Sequence, residues 1–182
     1  QKQVSIQPGR PLQAARSARP EPAARTEPED HHPEHAAMLA ALDATASGER
    51  AQLALELLCR HAQAAGGHLY VRSGADAVLA HAASWHAVPP PAALARFAAS
   101  FWQQQLEDAE MSAVLTELPD VDDEVKPLRW YDAKGECFEA LLLVDPRAQP
   151  SQRGLAILRV QDQRRRSKWP TRWIAALAAR LE

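Results

Sequence analysis

His31, His32 and His35, with Glu34 between them, are the densest set of metal-binding side chain types in the sequence. Imidazoles grouped this way can gather round zinc, which requires a fixed tetrahedron. Here they end a proline-broken stretch with no framework to hold that geometry, so no metal site is expected. Asp120, Asp122, Asp123 and Glu124 crowd carboxylates into one loop, the chemistry of a hard cation such as calcium. The loop has no glycine at its sharp turn and no bidentate glutamate at a twelfth position, and it reads as solvated acid. Ser84 and His86 pair a hydroxyl with an imidazole, but no nucleophile elbow, phosphate-cradling glycine loop or zinc spacing accompanies them. His61, His68 and His81 fall on separate elements. The run Arg164-Arg165-Arg166 with Lys168, beside Trp169, is the kind of patch that touches nucleic acid. In a chain of net charge −2 it reads instead as the solvated lead-in to a helix. No catalytic residue, metal or cofactor is assigned, and no nucleic-acid partner is expected.

The elements that must position any site begin with residues 47–71. Ser47 suits a helix N-cap and Glu49 suits the first turn, where negative charge meets the helix dipole. Ala51, Ala54, Leu55, Leu58, Ala62 and Ala65 recur at helical spacing, and Gly66-Gly67 is expected to stop the helix in a left-handed conformation. Leu69-Tyr70-Val71 follows as a strand, with Leu69 and Val71 alternating against His68, Tyr70 and Arg72. Leu53 and Leu57 widen the helix's apolar coverage beyond one packing face, which predicts either a partner helix in a homodimer or burial under a neighbour.

Residues 1–34 read as a disordered linker, because Pro8, Pro11, Pro20, Pro22, Pro28 and Pro33 interrupt a stretch of mostly Ala, Arg, Gln and Glu. Such a stretch buries too little apolar area to offset an ordering cost of about 1–2 kcal/mol per residue. Residues 35–182 form the domain. Ala36–Ala44 predicts a short leading helix. Ala77–Ala83 completes a hairpin, and Pro89-Pro90-Pro91 opens a helix lined by Leu94, Phe97, Ala98 and Phe101 that fades at Glu107–Glu110. Ala113–Leu118, Leu128–Tyr131, Cys137–Val144 and Gly154–Val160 read as strands. Leu141-Leu142-Leu143-Val144 is apolar on both sides, as in a central strand. A last helix, capped by Ser167 or Thr171, carries Trp173, Ile174, Leu177 and Leu181 as its apolar stripe.

Two cysteines are too few for a disulfide framework, so Cys59 and Cys137 read as free buried thiols in a reducing, cytoplasmic setting. No apolar run approaches the roughly 20 residues that span a bilayer, and no membrane partner is expected. With neither an initiating Met nor a signal pattern, the sequence reads as a fragment of something longer.

The order helix, hairpin, cross helix, strand, strand pair and terminal helix resembles a GAF domain over Ser47 to Glu182. Three pieces carry the likeness. They are Glu49-Arg50-Ala51-Gln52-Leu53-Ala54-Leu55 with Gly66-Gly67-His68-Leu69-Tyr70; Val78-Leu79-Ala80-His81-Ala82-Ala83-Ser84; and Phe138-Glu139-Ala140-Leu141-Leu142-Leu143-Val144 before Gly154-Leu155-Ala156-Ile157-Leu158. The Ala- and Arg-rich texture is similar to GAF modules of bacterial multidomain signalling proteins, protein kinases among them. The resemblance implies an α+β, GAF/PAS-like fold. A central antiparallel sheet of five or six strands would carry the N- and C-terminal helices on one face and a cross helix with loops on the other.

In family members that bind ligand, the cross-helix face holds cyclic nucleotides, bilins, haem or small metabolites. This sequence lacks the Asn-Lys-rich cyclic-nucleotide signature and a cysteine near the cross helix for a bilin, and has fewer cysteines than the redox branch. Trp85, His86, Phe101, Trp102, Trp130 and Tyr131 fall in segments that would cover or floor such a pocket, and become candidate ligand residues. They serve equally as core filling in a domain with few aromatics. Glu139 faces either solvent or the donors of a ligand. The expectation is a non-catalytic sensory or regulatory domain that binds a small ligand or partner and signals through its terminal helices to an output region of the same chain. The alternative is a ligand-free dimerisation or protein–protein interaction module.

Overall fold

The computed structural model describes residues 33–74, 78–87, 89–112 and 124–181, without the side chains of 110–112. The linker up to residue 32, with His31 and His32, lies outside the described residues. So do the strand expected at Ala113–Leu118 and all of the acidic loop except Glu124. The elements are α1 (Pro33–Ala44), α2 (Ser47–Ala62), β1 (Gly66–Ser73), β2 (Val78–Trp85), α3 (Ala92–Ser112), β3 (Leu128–Tyr131), β4 (Cys137–Val144), β5 (Gln152–Val160) and α4 (Thr171–Ala178). The strands form one sheet in the order β2-β1-β5-β4-β3, antiparallel at every pairing. This is the expected α+β architecture, with five strands among the described residues.

Alternation along each strand sends two apolar sets to opposite faces. Leu69, Leu141, Leu143, Ala156 and Leu158 meet Leu42 of α1, Leu55 and Leu58 of α2, and Trp173, Ile174 and Leu177 of α4. Tyr70, Phe138, Ala140, Leu155 and Ile157 meet Leu94, Ala98 and Trp102 of α3. The terminal helices therefore share one face and the cross helix takes the other.

Several local details differ from the sequence expectations. Pro33 begins α1 rather than ending the linker, as proline is tolerated in a first helical turn. Ser47 is the first residue of α2, not its cap; Ala46 occupies that position and no side chain caps the helix. At the other end Gln63, not a glycine, takes the left-handed conformation with φ 51°, and the Ala64 amide closes on the Cys59 carbonyl at 2.8 Å. Gly66 and Gly67 are strand residues. A Cβ on Gly66 would stand 2.7 Å from the Trp85 carbonyl oxygen, and one on Gly67 would stand 2.8 Å from that of Ile157. Their small size lets β2 and β5 close on β1, which is a packing requirement and not a helix stop. The cross helix runs on through Glu107–Glu110 to Ser112. Neither Ser167 nor Thr171 caps α4: the Pro170 carbonyl accepts from Trp173 and Ile174, while the Ser167 hydroxyl donates to the Ala62 carbonyl.

One irregularity matters for the site. In the β1–β2 ladder Tyr70 opposes His81, but Leu69 opposes Ala83, so Ala82 is an extra residue on β2. Such a bulge re-aims the side chains beyond it. Cys59 and Cys137 are free and buried, and burial pushes the Cys59 thiol up to about 12, keeping it protonated and unreactive. No described helix is long and apolar enough to cross a membrane.

Candidate functional site

The α3 side of β1 presents His68, Tyr70 and Arg72 at alternate positions, between the apolar floor of β5 and the exposed strand β2. The first two are almost wholly buried. Because of the bulge, Ser84 and His81 of β2 lie on the same side as this stripe. The Ser84 hydroxyl oxygen sits 2.9 Å from His68 Nδ1 and 3.0 Å from His81 Nε2. A hydroxyl has one proton, so at least one of the two imidazoles donates its N–H to Oγ. The Tyr70 ring meets the His81 ring edge-on, with centroids 5.4 Å apart. Tyr70 is 5 % exposed, and its hydroxyl is buried without a hydrogen-bond partner among the described residues. Burial holds the Tyr70 phenol above its usual range, so it remains a neutral donor.

Burial, then the charges of His81 and Arg159, push the His68 imidazole down to about 4. The folded-state value lies below the unfolded value of 6.5, so between the two the unfolded chain binds more protons. His68 therefore supports the fold fully above about pH 6.5, and that support is lost as pH falls towards 4. At about 1.36 kcal/mol per pH unit, the loss reaches at most about 3 kcal/mol. Urea midpoints at pH 7 and pH 4.5 should fall further for the native chain than for His68→Gln. Equal falls would remove His68 from the acid response.

The residues expected to form a pocket divide between the two faces. Phe101, Trp102 and Trp130 do come together on the α3 side. Trp130 stacks on Phe97 at 5.1 Å and tilts against Phe138 at 5.5 Å, while Trp102 is fully buried among Tyr70, Leu94 and Leu155. Trp85 faces the other way and packs on the terminal-helix core. His86, exposed with φ 47°, lies against the Trp85 ring at 4.1 Å. Tyr131 is exposed on the edge strand β3.

Glu139 neither faces solvent nor lines the α3 side. It is buried on the terminal-helix face, where Arg129 Nε and Nη2 donate to its Oε1 at 2.9 and 2.8 Å. Leu57 is buried in the chain's own core and Leu53 packs against that core half-buried, so neither offers a free apolar ridge to a second copy. His35 stacks on Trp173 at 4.6 Å. No group of three metal-ligating side chains occurs among the described residues.

The basic loop after β5 is structural in part. Arg165 donates to the Gln63 side chain, and Arg129 donates to the carbonyls of Gln163 and Arg165 at 2.5 and 2.6 Å. An open groove of about 350 Å³ lies at that end of the sheet, lined by Ala65, Gly135, Cys137, Arg159 and Gln163 among others.

The polar group on the α3 face was missed because its members come from two strands. His68, Tyr70 and Arg72 show the period of two in the sequence; the approach of Ser84 and His81 depends on the bulge. Chemically the group offers imidazole, hydroxyl and phenol donors and acceptors and one guanidinium beside an aromatic wall, the make-up of a small-ligand site. No family model matches the chain, and neither a curated protein nor a solved structure matches it.

Proposed function

We propose that this is a non-catalytic, GAF-like sensory or regulatory domain. It binds a small ligand on the α3 face of its sheet and signals through α1, α2 and α4 on the opposite face to an output region of a longer bacterial signalling chain. The single observation that carries the reading is the division of labour across one strand. Tyr70 presents to the α3 side a buried hydroxyl with no hydrogen-bond partner among the described residues, while its neighbours Leu69 and Val71 pack on the terminal-helix core. A second link supports it: Ser84 holds the two imidazoles with its hydroxyl, and its carbonyl accepts from Gln52 of α2 at 3.1 Å. A ligand that reorganises the His68–Ser84–His81 chain would therefore bear on α2 directly. It shifts the helices only by as much as it prefers one arrangement over the other.

Thermal denaturation of the chain against a panel of nucleotides and small metabolites tests this reading. A true ligand at 100 times its Kd stabilises by about 2.7 kcal/mol, and Ser84→Ala should weaken that response. A flat response across the panel would go against ligand binding. The interaction-module reading keeps one supporting observation: among the described residues β2 is an edge strand, eight residues long with no Asp, Glu, Lys or Arg, and Val78 on it is 58 % exposed. Unguarded edges of this kind accept another strand. A dimer in light scattering, abolished by Ala82→Lys, would favour it.

A further inference from the structure

We infer that the α3-face site takes an oxyanion, a phosphate or carboxylate group of its ligand, and that Arg72 and Tyr70 are the residues that hold it. The inference rests on the α3 face being the ligand face and goes further by naming the group recognised there.

Tyr70 and Arg72 stand two positions apart on β1 with their side chains on one face, about 7 Å apart along the strand. Both carry a buried donor that nothing among the described residues satisfies, the Tyr70 hydroxyl and Arg72 Nη1. Buried polar groups in folded proteins are almost always hydrogen-bonded, and the exceptions call for a missing acceptor. Two such exceptions side by side, one on a permanent cation, call for an acceptor with negative charge and more than one lone-pair oxygen. A phosphate or carboxylate fits, because a guanidinium can hold two oxygens at once while a phenol donates to the same group. His68 and His81 continue the stripe on the side away from Arg72, linked through Ser84. They supply hydrogen-bonding partners for the uncharged remainder of the ligand. The arrangement differs from the groove beside Arg159, where the guanidinium already has Glu136 within 3.7 Å.

The test uses the full chain at pH 7 and fixed ionic strength, with sodium chloride exchanged for sodium phosphate in one arm and sodium succinate in the other. Melting temperature and calorimetric titration are the readouts. One arm should show a saturable rise in melting temperature, and which arm responds identifies the source of the oxyanion as phosphate or carboxylate. Arg72→Gln should weaken that binding about tenfold or more, and Arg72→Lys should keep part of it, since the charge remains but the fork does not.

Tyr70→Phe gives a second and independent sign. In chloride it removes an unsatisfied buried hydroxyl and should melt about 2–4 °C above the native chain. In the responding anion that advantage should shrink or reverse. Binding unchanged in Arg72→Gln, or a Tyr70→Phe advantage that is the same in every salt, would overturn the assignment. Silence in both arms would also overturn it. If neutral metabolites still stabilise the chain when both anions are silent, the sensory reading stands without the oxyanion; if those too are silent, both fall.

Discussion

Arg129→Met should destabilise the fold by about 3–5 kcal/mol, read as a lower urea midpoint with an unchanged slope. Arg129 and Glu139 are directly opposed on β3 and β4, and the carboxylate is 2 % exposed. Removing the guanidinium leaves that carboxylate buried with neither of its two donors. The same change frees the carbonyls of Gln163 and Arg165, so the loop carrying Arg164–Lys168 loses its tie to the sheet edge. A control separates the pair from the packing. Arg129→Met combined with Glu139→Leu should recover most of the loss, because an apolar pair of similar volume has no charge to strand. If the double variant is as unstable as the single one, the loss lies in the loop contacts rather than in the buried charge.

Trp102→Ala should cost about 3–5 kcal/mol by the same measurement. Trp102 is 1 % exposed and sits one turn beyond Ala98 and two beyond Leu94, at the centre of the stripe that fastens α3 to the sheet. The loss has two parts, the transfer of a large aromatic out of the core and the cavity that rigid β5 and β4 cannot fill. Phe97→Ala, one stacking partner of the half-buried Trp130, should cost clearly less. A Trp102→Ala variant that kept native stability would mean that α3 is a loosely held cover. Ligand binding would then have to be measured with the helix free to lift.

Much of this fold is legible in the residues. Cys137–Val144 runs as its apolar content predicts, because strand formation there agrees with burial on both sides, and the half-exposed Leu128–Tyr131 pairs alongside it. The stripe of α3 is equally plain, except that Trp102 completes it and polar Gln103 and Gln104 do not end it. Helix ends are harder, since a backbone carbonyl can do the work of a capping side chain, as Pro170 does for α4. Gly66-Gly67 illustrates a different limit. Glycine signals backbone freedom and backbone proximity with the same letter, and here proximity wins.

The site was less legible than the scaffold. Aromatic content drew attention to Trp85 and Tyr131, yet which face each occupies depends on register. The partner of Glu139 did leave a trace: Arg129 and Glu139 stand equally far from the turn at Lys134, and opposite charges so placed face each other in a hairpin. Tyr70 looked like an ordinary strand aromatic, because a missing hydrogen bond leaves no mark on a string of letters.

The extra residue at Ala82 makes the imidazole–hydroxyl chain a matter of parity. Counting outward from the Tyr70–His81 pair, an even ladder would set Ser84 opposite Gly67 and turn it towards the helices, leaving His68 facing a methyl group. Odd against even, rather than any one side chain, decides whether these three groups can meet. Deleting Ala82 would straighten the ladder with His81 still opposite Tyr70 and Ser84 still opposite His68, so the relay would survive. A regular ladder with one residue more or fewer than that between His81 and Ser84 would part it.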